Sequence, residues 1–162
     1  CSLLIKGNGF SPSCDKLMEL IKNKLKKIKE VLAGSIIESQ ADIEADFSHA
    51  PDIVYPKSYL ESILLNLLSN AIKYRSTERK LLIQIKTENI DGRTILTFKD
   101  NGLGIDLKKH GHKLFGFNKT FHRINNSKGL GLFIIKTQIE AMGGSISAES
   151  EVNIGSTFKI IF

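Results

Sequence analysis

Cysteine is almost missing from this 162-residue chain: Cys1 and Cys14 are the only two, and both lie near its start. A disulfide framework and a thiolate zinc site are thereby excluded, and a reducing cytoplasm is the expected setting. No apolar run approaches the roughly 20 residues that cross a bilayer, so this segment is expected to make no membrane contact. The chain also lacks an initiating Met and a basic-then-apolar leader. It therefore reads as part of something longer, whose remainder is free to be membrane-anchored. No Gly-Lys-Ser or Gly-Lys-Thr run and no Rossmann glycine spacing occurs, so neither a Walker loop nor a dinucleotide fold is indicated. Internal repeats and low-complexity tracts are absent.

What is present is ordinary for a globular domain: 41% hydrophobic and 25% charged residues, enough chain for one core. Residues 15–162 read as that domain, and residues 1–14 as a junction or vector-derived segment. The net charge of +6 has two sources. Lys16, Lys22, Lys24, Lys26, Lys27 and Lys29 share a helix with a core stripe of Leu17, Leu20, Ile21, Leu25, Ile28 and Leu32, a solvated face. Lys108, Lys109, Lys113, Lys119, Arg123 and Lys128 fall in a long irregular stretch. The phenylalanines among them, Phe115, Phe117 and Phe121, are read as fasteners of that stretch rather than as base-stacking platforms, so polyphosphate rather than nucleic acid is the expected anion.

The pattern predicts a helix from about Asp15 to Leu32, then short strands at Ser35–Glu38 and Asp42–Phe47. A second helix begins near Lys57. Strands at Leu82–Glu88 and Thr94–Asp100 form a hairpin through Asp91-Gly92, which tolerates the positive φ angles of a tight turn. A helix from about Leu130 to Met142 ends at Gly143-Gly144, and strands at Ser145–Ser150 and Ser156–Phe162 close the chain. Helices and antiparallel pairs that do not strictly alternate argue against a doubly wound sheet. They predict an α/β (α+β) two-layer sandwich of about five strands packed on three helices.

The most informative segment runs from Leu60 to Tyr74. Asn66, Asn70 and Lys73 form one strip of an otherwise apolar helix, and Asn is a mediocre helix former whose amide competes with the backbone. A ligand is expected to face that strip. Alternation turns Leu96, Phe98 and Asp100 to one face, so Asp100 is aimed inward and needs a donor such as the adenine amine. Asp100-Asn-Gly-Leu-Gly104 places two glycines where a planar base can approach the backbone. Gly129-Leu-Gly131 opens a helix, where free N–H groups favour phosphate. Between these glycine pairs lies a loop of roughly 25 residues, long enough to read as a lid, with Phe115, Phe117 and Phe121 as fasteners.

In order and spacing, these segments resemble the GHKL superfamily and its Bergerat-type ATP-binding fold, most closely the catalytic ATP-binding domain of sensor histidine kinases. The asparagine box is Asn66-Leu-Leu-Ser-Asn70-Ala-Ile-Lys73-Tyr74 and the first glycine box Asp100-Asn-Gly-Leu-Gly104. The phenylalanine box is Lys113-Leu-Phe115-Gly-Phe117, the second glycine box Lys128-Gly-Leu-Gly131-Leu, and the tail Gly155-Ser-Thr-Phe158 also fits. The resemblance implies that Asn70 ligates Mg²⁺ on ATP, that Asn66 assists, and that Lys73 neutralises phosphate charge. It implies that Tyr74 flanks the base, Asp100 reads the adenine amine, and Gly102 and Gly104 admit base and ribose. Lys128, Gly129, Leu130, Gly131 and Leu132 are implied at the phosphates, with Ile105, Phe115 and Ser156 completing the nucleotide-binding set.

ATP-hydrolysing relatives such as gyrases carry a Glu where this chain has Asn66, and an amide takes up no proton near neutral pH. Phosphoryl transfer to another acceptor is therefore expected over hydrolysis. No His precedes Glu or Asp: His49, His110, His112 and His122 all lack the phosphoacceptor context. The implied partners are the dimerisation domain of the same parent, which carries that histidine, and a response-regulator receiver domain of a two-component phosphorelay. An ATP-gated binding module and an anti-sigma-type serine kinase are the alternatives on the same fold.

Overall fold

The computed structural model describes residues 3–6, 41–50, 55–116 and 130–162. The expected helix at 15–32, the strand at 35–38 and most of the lid, with Phe117, Lys119, Phe121, Arg123, Lys128 and Gly129, lie outside these residues. The elements are β1 (Leu3–Lys6), β2 (Asp42–His49), α1 (Lys57–Lys73), β3 (Leu82–Ile90) and β4 (Arg93–Asp100). There follow α2 (Leu107–His110), a 3-10 turn at Gly111–Lys113, α3 (Gly131–Ala141), β5 (Ser145–Glu151) and β6 (Gly155–Ile161).

The strands form one six-stranded sheet in the order β1-β2-β3-β4-β6-β5. The β1-β2 and β2-β3 pairs are parallel and the rest antiparallel. The mixed sheet follows the sequence expectation except at its edge, where Leu3–Lys6 adds a sixth strand that the periodicity does not reveal. Four residues are too few for alternation to register.

Alternation decides which face of the sheet is covered. Ile43, Ala45 and Phe47 of β2, Ile83 and Ile85 of β3, Leu96 and Phe98 of β4, and Phe158 and Ile160 of β6 are buried. They meet Leu60, Ile63, Leu64, Leu67, Leu68, Ala71 and Ile72 of α1 and Ile135 and Ile139 of α3 in one cluster. On the opposite face Lys86, Lys99 and Lys159 are exposed. The sandwich thus has two layers, one of helices and one of strands.

The turns match their residues. Asp91 (φ 52°) and Gly92 (φ 78°) supply the paired positive φ angles of the β3-β4 hairpin. Gly143 (φ 80°) ends α3, with its N–H and that of Gly144 donating to Glu140 and Ile139 carbonyls. Among the described residues, no helix is long and apolar enough to cross a membrane.

Thr87 is the one buried polar side chain in the interior of β3, and its hydroxyl donates to the Ala50 carbonyl over 2.6 Å. Thr87→Val keeps the volume but leaves that carbonyl unsatisfied. It is expected to destabilise the domain by about 1–3 kcal/mol, read as a lower urea midpoint at unchanged m-value; an unchanged midpoint would contradict the assignment.

Candidate functional site

Helix α1 is buried on the sheet side by its leucines and isoleucines, which leaves Asn66, Asn70 and Lys73 half-buried along one strip. At Asn66 the amide is already engaged: Nδ2 donates to the Ser62 carbonyl over 2.8 Å. Its Oδ1 lies against the first residue of α3, only 2.5 Å from where a Cβ would stand on Gly131. A side chain at 131 would meet the end of the Asn66 amide and force it to turn aside, so this glycine leaves Asn66 its place beside the helix end. Among the described residues no hydrogen bond ties down the Asn70 amide, which keeps an oxygen donor available. Lys73 lies 5.7 Å from the Tyr74 ring centroid, within cation-π range. Partial burial lowers its pKa below the ordinary lysine range, as expected for an ammonium that has lost water and gained no carboxylate among the described residues.

Leu130 occupies the N-cap position of α3 and has no side-chain oxygen to cap it, and the first turn carries no acidic residue. The leading N–H groups there suit an anion. Leu130, Gly131 and Leu132 are half-buried around that end, and Leu132 packs on the core.

The other end of the site is built around Asp100, the last residue of β4. Following Leu96 and Phe98 inward, it is 8% exposed. Burial pushes its carboxyl above the ordinary range, opposed by N–H groups of Gly102 and Ser156. The Gly102 N–H donates to Oδ1 over 2.8 Å. Gly102 itself has no room for a side chain: a Cβ would stand 2.6 Å from the Tyr74 carbonyl and 2.9 Å from Asp100 Oδ1. Gly104 (φ 67°) presses on the Glu151 carbonyl in the turn between β5 and β6, and Gly155 of that turn presses on Asp100's own carbonyl. The N–H groups of Gly102 and Ser156 thus meet the carboxylate, and the β5-β6 turn packs against the main chain on either side of it.

A hydroxyl pair completes this end. Ser150 Oγ accepts from the Ile105 N–H and donates to the Gly155 carbonyl, each over 2.8 Å. Its single proton being so placed, the 2.8 Å contact between Ser150 and Ser156 must be donated by Ser156. Ser156, 8% exposed and directly opposite Asp100 in the β4-β6 pairing, therefore keeps its lone pairs for another donor. Sequence reasoning places Ser156 here and misses Ser150. Inward alternation with Ile146 and Ala148 is the signal that marks it.

Ile105 is half-buried and held by Ser150, and Phe115 is half-buried beyond the 3-10 turn. Among the described residues no three His, Cys, Asp or Glu side chains converge as a metal site.

Residues 57–162 match the family described as histidine kinase-, DNA gyrase B- and HSP90-like ATPases, and the chain belongs to it. Within that family it is the ATP-binding catalytic domain of the histidine kinase kind. It is 33% identical over 117 residues, 68% of the chain, to the sensor protein RprX of Bacteroides fragilis. It is 36% identical over 105 residues, 63% of the chain, to the signal transduction histidine-protein kinase ArlS of Staphylococcus aureus. The chain spans only 22% and 23% of the lengths of these curated relatives. In structure it resembles the mycobacterial sensor histidine kinase MprB, with a TM-score of 0.71 at 23% identity over 90% of this chain and 94% of that one. It also resembles ShkA, solved in complex with AMPPNP, with a TM-score of 0.67 at 26% identity over 87% of this chain and 29% of that one.

The raised Asp100 carboxyl yields a signed pH dependence. The folded state holds this proton to higher pH than the unfolded chain does, so its contribution is most favourable below the ordinary carboxylate range and is lost as pH rises through the raised value. Asp100→Asn is fixed in the neutral form and still accepts from Gly102. Its stability relative to the parent is expected to improve from about pH 4 to neutrality, measured by urea midpoints of both proteins at each pH. A difference independent of pH would show that Asp100 titrates normally.

Proposed function

We propose that the chain holds Mg·ATP for transfer of the γ-phosphoryl group to a histidine on a separate dimerisation domain, from which a response-regulator receiver domain takes it. The observation that supports this most is the spacing of the two glycine contacts on α1. Gly131 abuts Asn66 and Gly102 abuts the Tyr74 carbonyl, eight residues apart, or about 12 Å at 1.5 Å per residue. A nucleoside triphosphate laid along that length has its base at Asp100 and its phosphates at the start of α3. AMPPNP in ShkA is a ligand of the class this reading requires.

In this reading Asp100 accepts from the adenine amine, with Ser156 presenting lone pairs beside it. Gly102 and Gly104 keep the loop flat enough for base and ribose to approach, with Tyr74 and Ile105 at the flanks. Lys73 regains a counter-charge from phosphate, and the α3 N–H groups with Lys128 and Gly129 meet the remaining oxygens. Asn70 is the fitting Mg²⁺ ligand, because its oxygen is free of other described partners; Asn66 contributes from a more constrained position. When bound, the ion neutralises charge shared between phosphates. The chain's own part is positioning and electrostatic clamping.

The acceptor must come from elsewhere. Residue 66 is an amide engaged by Ser62 and is no base for water, so the phosphoryl group persists until an imidazole reaches it. Mixing the chain with the dimerisation hairpin of its own parent and γ-labelled ATP is expected to label the hairpin. Asn70→Ala and Asp100→Ala are each expected to remove ATP binding and labelling while leaving circular dichroism unchanged. Tight ATP binding with no label on the hairpin would overturn the kinase reading in favour of an ATP-gated module.

A further inference from the structure

Arg79 lies in the connection between α1 and β3, outside every motif of the nucleotide site, yet its guanidinium reaches the loop that follows Asp100. Nε donates to the Asn101 carbonyl over 2.7 Å and Nη2 to the Gly102 carbonyl over 2.6 Å. The N–H ends of the same two peptide units are held on the opposite side. Gly102 donates to Asp100 Oδ1 over 2.8 Å and Leu103 to the Tyr74 carbonyl over 2.8 Å. Each peptide plane is therefore tied at both ends.

Residue 102 makes this necessary. It must be glycine because Tyr74 and Asp100 leave no space for a Cβ, and a peptide preceding glycine flips with little steric resistance, since glycine accepts both signs of φ. A flip of the Asn101–Gly102 peptide would withdraw the N–H from Asp100 and aim a carbonyl at its carboxylate. The chain around it is anchored separately: Asn101 Oδ1 accepts from the Leu82 N–H over 2.8 Å and Nδ2 donates to the Lys80 carbonyl over 3.0 Å. Those bonds fix Asn101 to the start of β3 but leave the next peptide free to rotate. A planar fork of fixed donors is suited to hold two successive carbonyls, and an ammonium is not.

We propose that Arg79 is a positioning residue for base recognition: by holding the carbonyls of Asn101 and Gly102 it keeps the Gly102 N–H on Asp100 and sets the carboxylate's orientation toward the base. It acts through the peptide units rather than by its charge at the base. The inference rests on the reading of Asp100 as the contact to the adenine amine.

The test compares ATP with purine riboside triphosphate, which lacks that amine, on the full chain and on Arg79→Ala and Arg79→Lys, by calorimetry. The unaltered chain is expected to prefer ATP by about 10-fold or more, as for a hydrogen bond to a charged group. In Arg79→Ala that preference is expected to fall below about 3-fold, with the amine-free nucleotide nearly unaffected, and Arg79→Lys to lie between. Hydrogen exchange at the Gly102 and Leu103 amides is expected to quicken in step. An unchanged preference in both variants, even with equal losses for both nucleotides, would overturn the proposal, as would unchanged exchange at Gly102. Should Arg79→Ala fail to fold, Arg79→Lys carries the same two readouts. No preference in the unaltered chain would overturn the adenine reading and the proposal with it, a failure seen before any substitution is made.

Discussion

A carboxylate driven into the interior by the alternation of its own strand governs the surrounding backbone. Asp100 follows Leu96 and Phe98 inward, and burial without compensation would favour its neutral form. The compensation comes from peptide N–H groups, which must approach to hydrogen-bonding distance. Glycine at 102 and 155 permits that approach, and glycine at 104 lets the loop close on the β5-β6 turn, because each position faces backbone oxygen where a Cβ would stand. The end of α1, the end of β4 and the β5-β6 turn are thus held together by main-chain contacts around one acid. Conformational freedom is the cost of using glycine three times, and the Arg79 fork, the Asn101 side chain and the Ser150 hydroxyl restrict it.

Helix α1 connects this acid to the opposite end of the site. Its core face is apolar over four turns, and the polar strip opposite meets α3 through Asn66 and Gly131. Because both contacts are made by one rigid element, the distance between the acid and the start of α3 is fixed by helix geometry. On the proposed function, in which one end reads a base and the other meets charge, such a ruler is needed, since misplacement by about 1 Å forfeits much of what positioning contributes.

Much of this was legible in the sequence, for identifiable reasons. Helices α1 and α3 and the β3-β4, β5 and β6 strands have long periodic patterns and turn residues of unambiguous chemistry, as at Asp91-Gly92 and Gly143-Gly144, whereas α2, one turn within a stretch read as irregular, does not. The inward aim of Asp100 follows from period-two alternation. What escaped was tertiary. Leu3–Lys6 is too short to display a period, and its pairing with β2 is a non-local fact. Arg79 looks like one more surface cation in a charged turn, because its partners are carbonyls 22 and 23 residues away. Asn101 belongs to the glycine-containing loop in sequence, yet its amide ties that loop to the start of β3. Bonds to backbone leave no pattern in the side chains of the partner, so spacing cannot reveal them.

The residue at 66 joins packing and chemistry in one side chain. Its amide is short enough to lie between the Ser62 carbonyl and the face of Gly131, so α3 sits close to α1. A Glu there is one methylene longer and brings a charge that has no donor on Ser62's carbonyl. It would either displace the start of α3 or turn toward the phosphates and activate water. Asn66 does neither: it holds the two helices together and offers no base. On the proposed function this is the condition for a kinase rather than a hydrolase, because a phosphoryl group awaiting an imidazole from another domain survives only where the nearest side chain cannot deprotonate water. The tight helix contact and the chemical restraint then have a single origin, an amide in place of an acid.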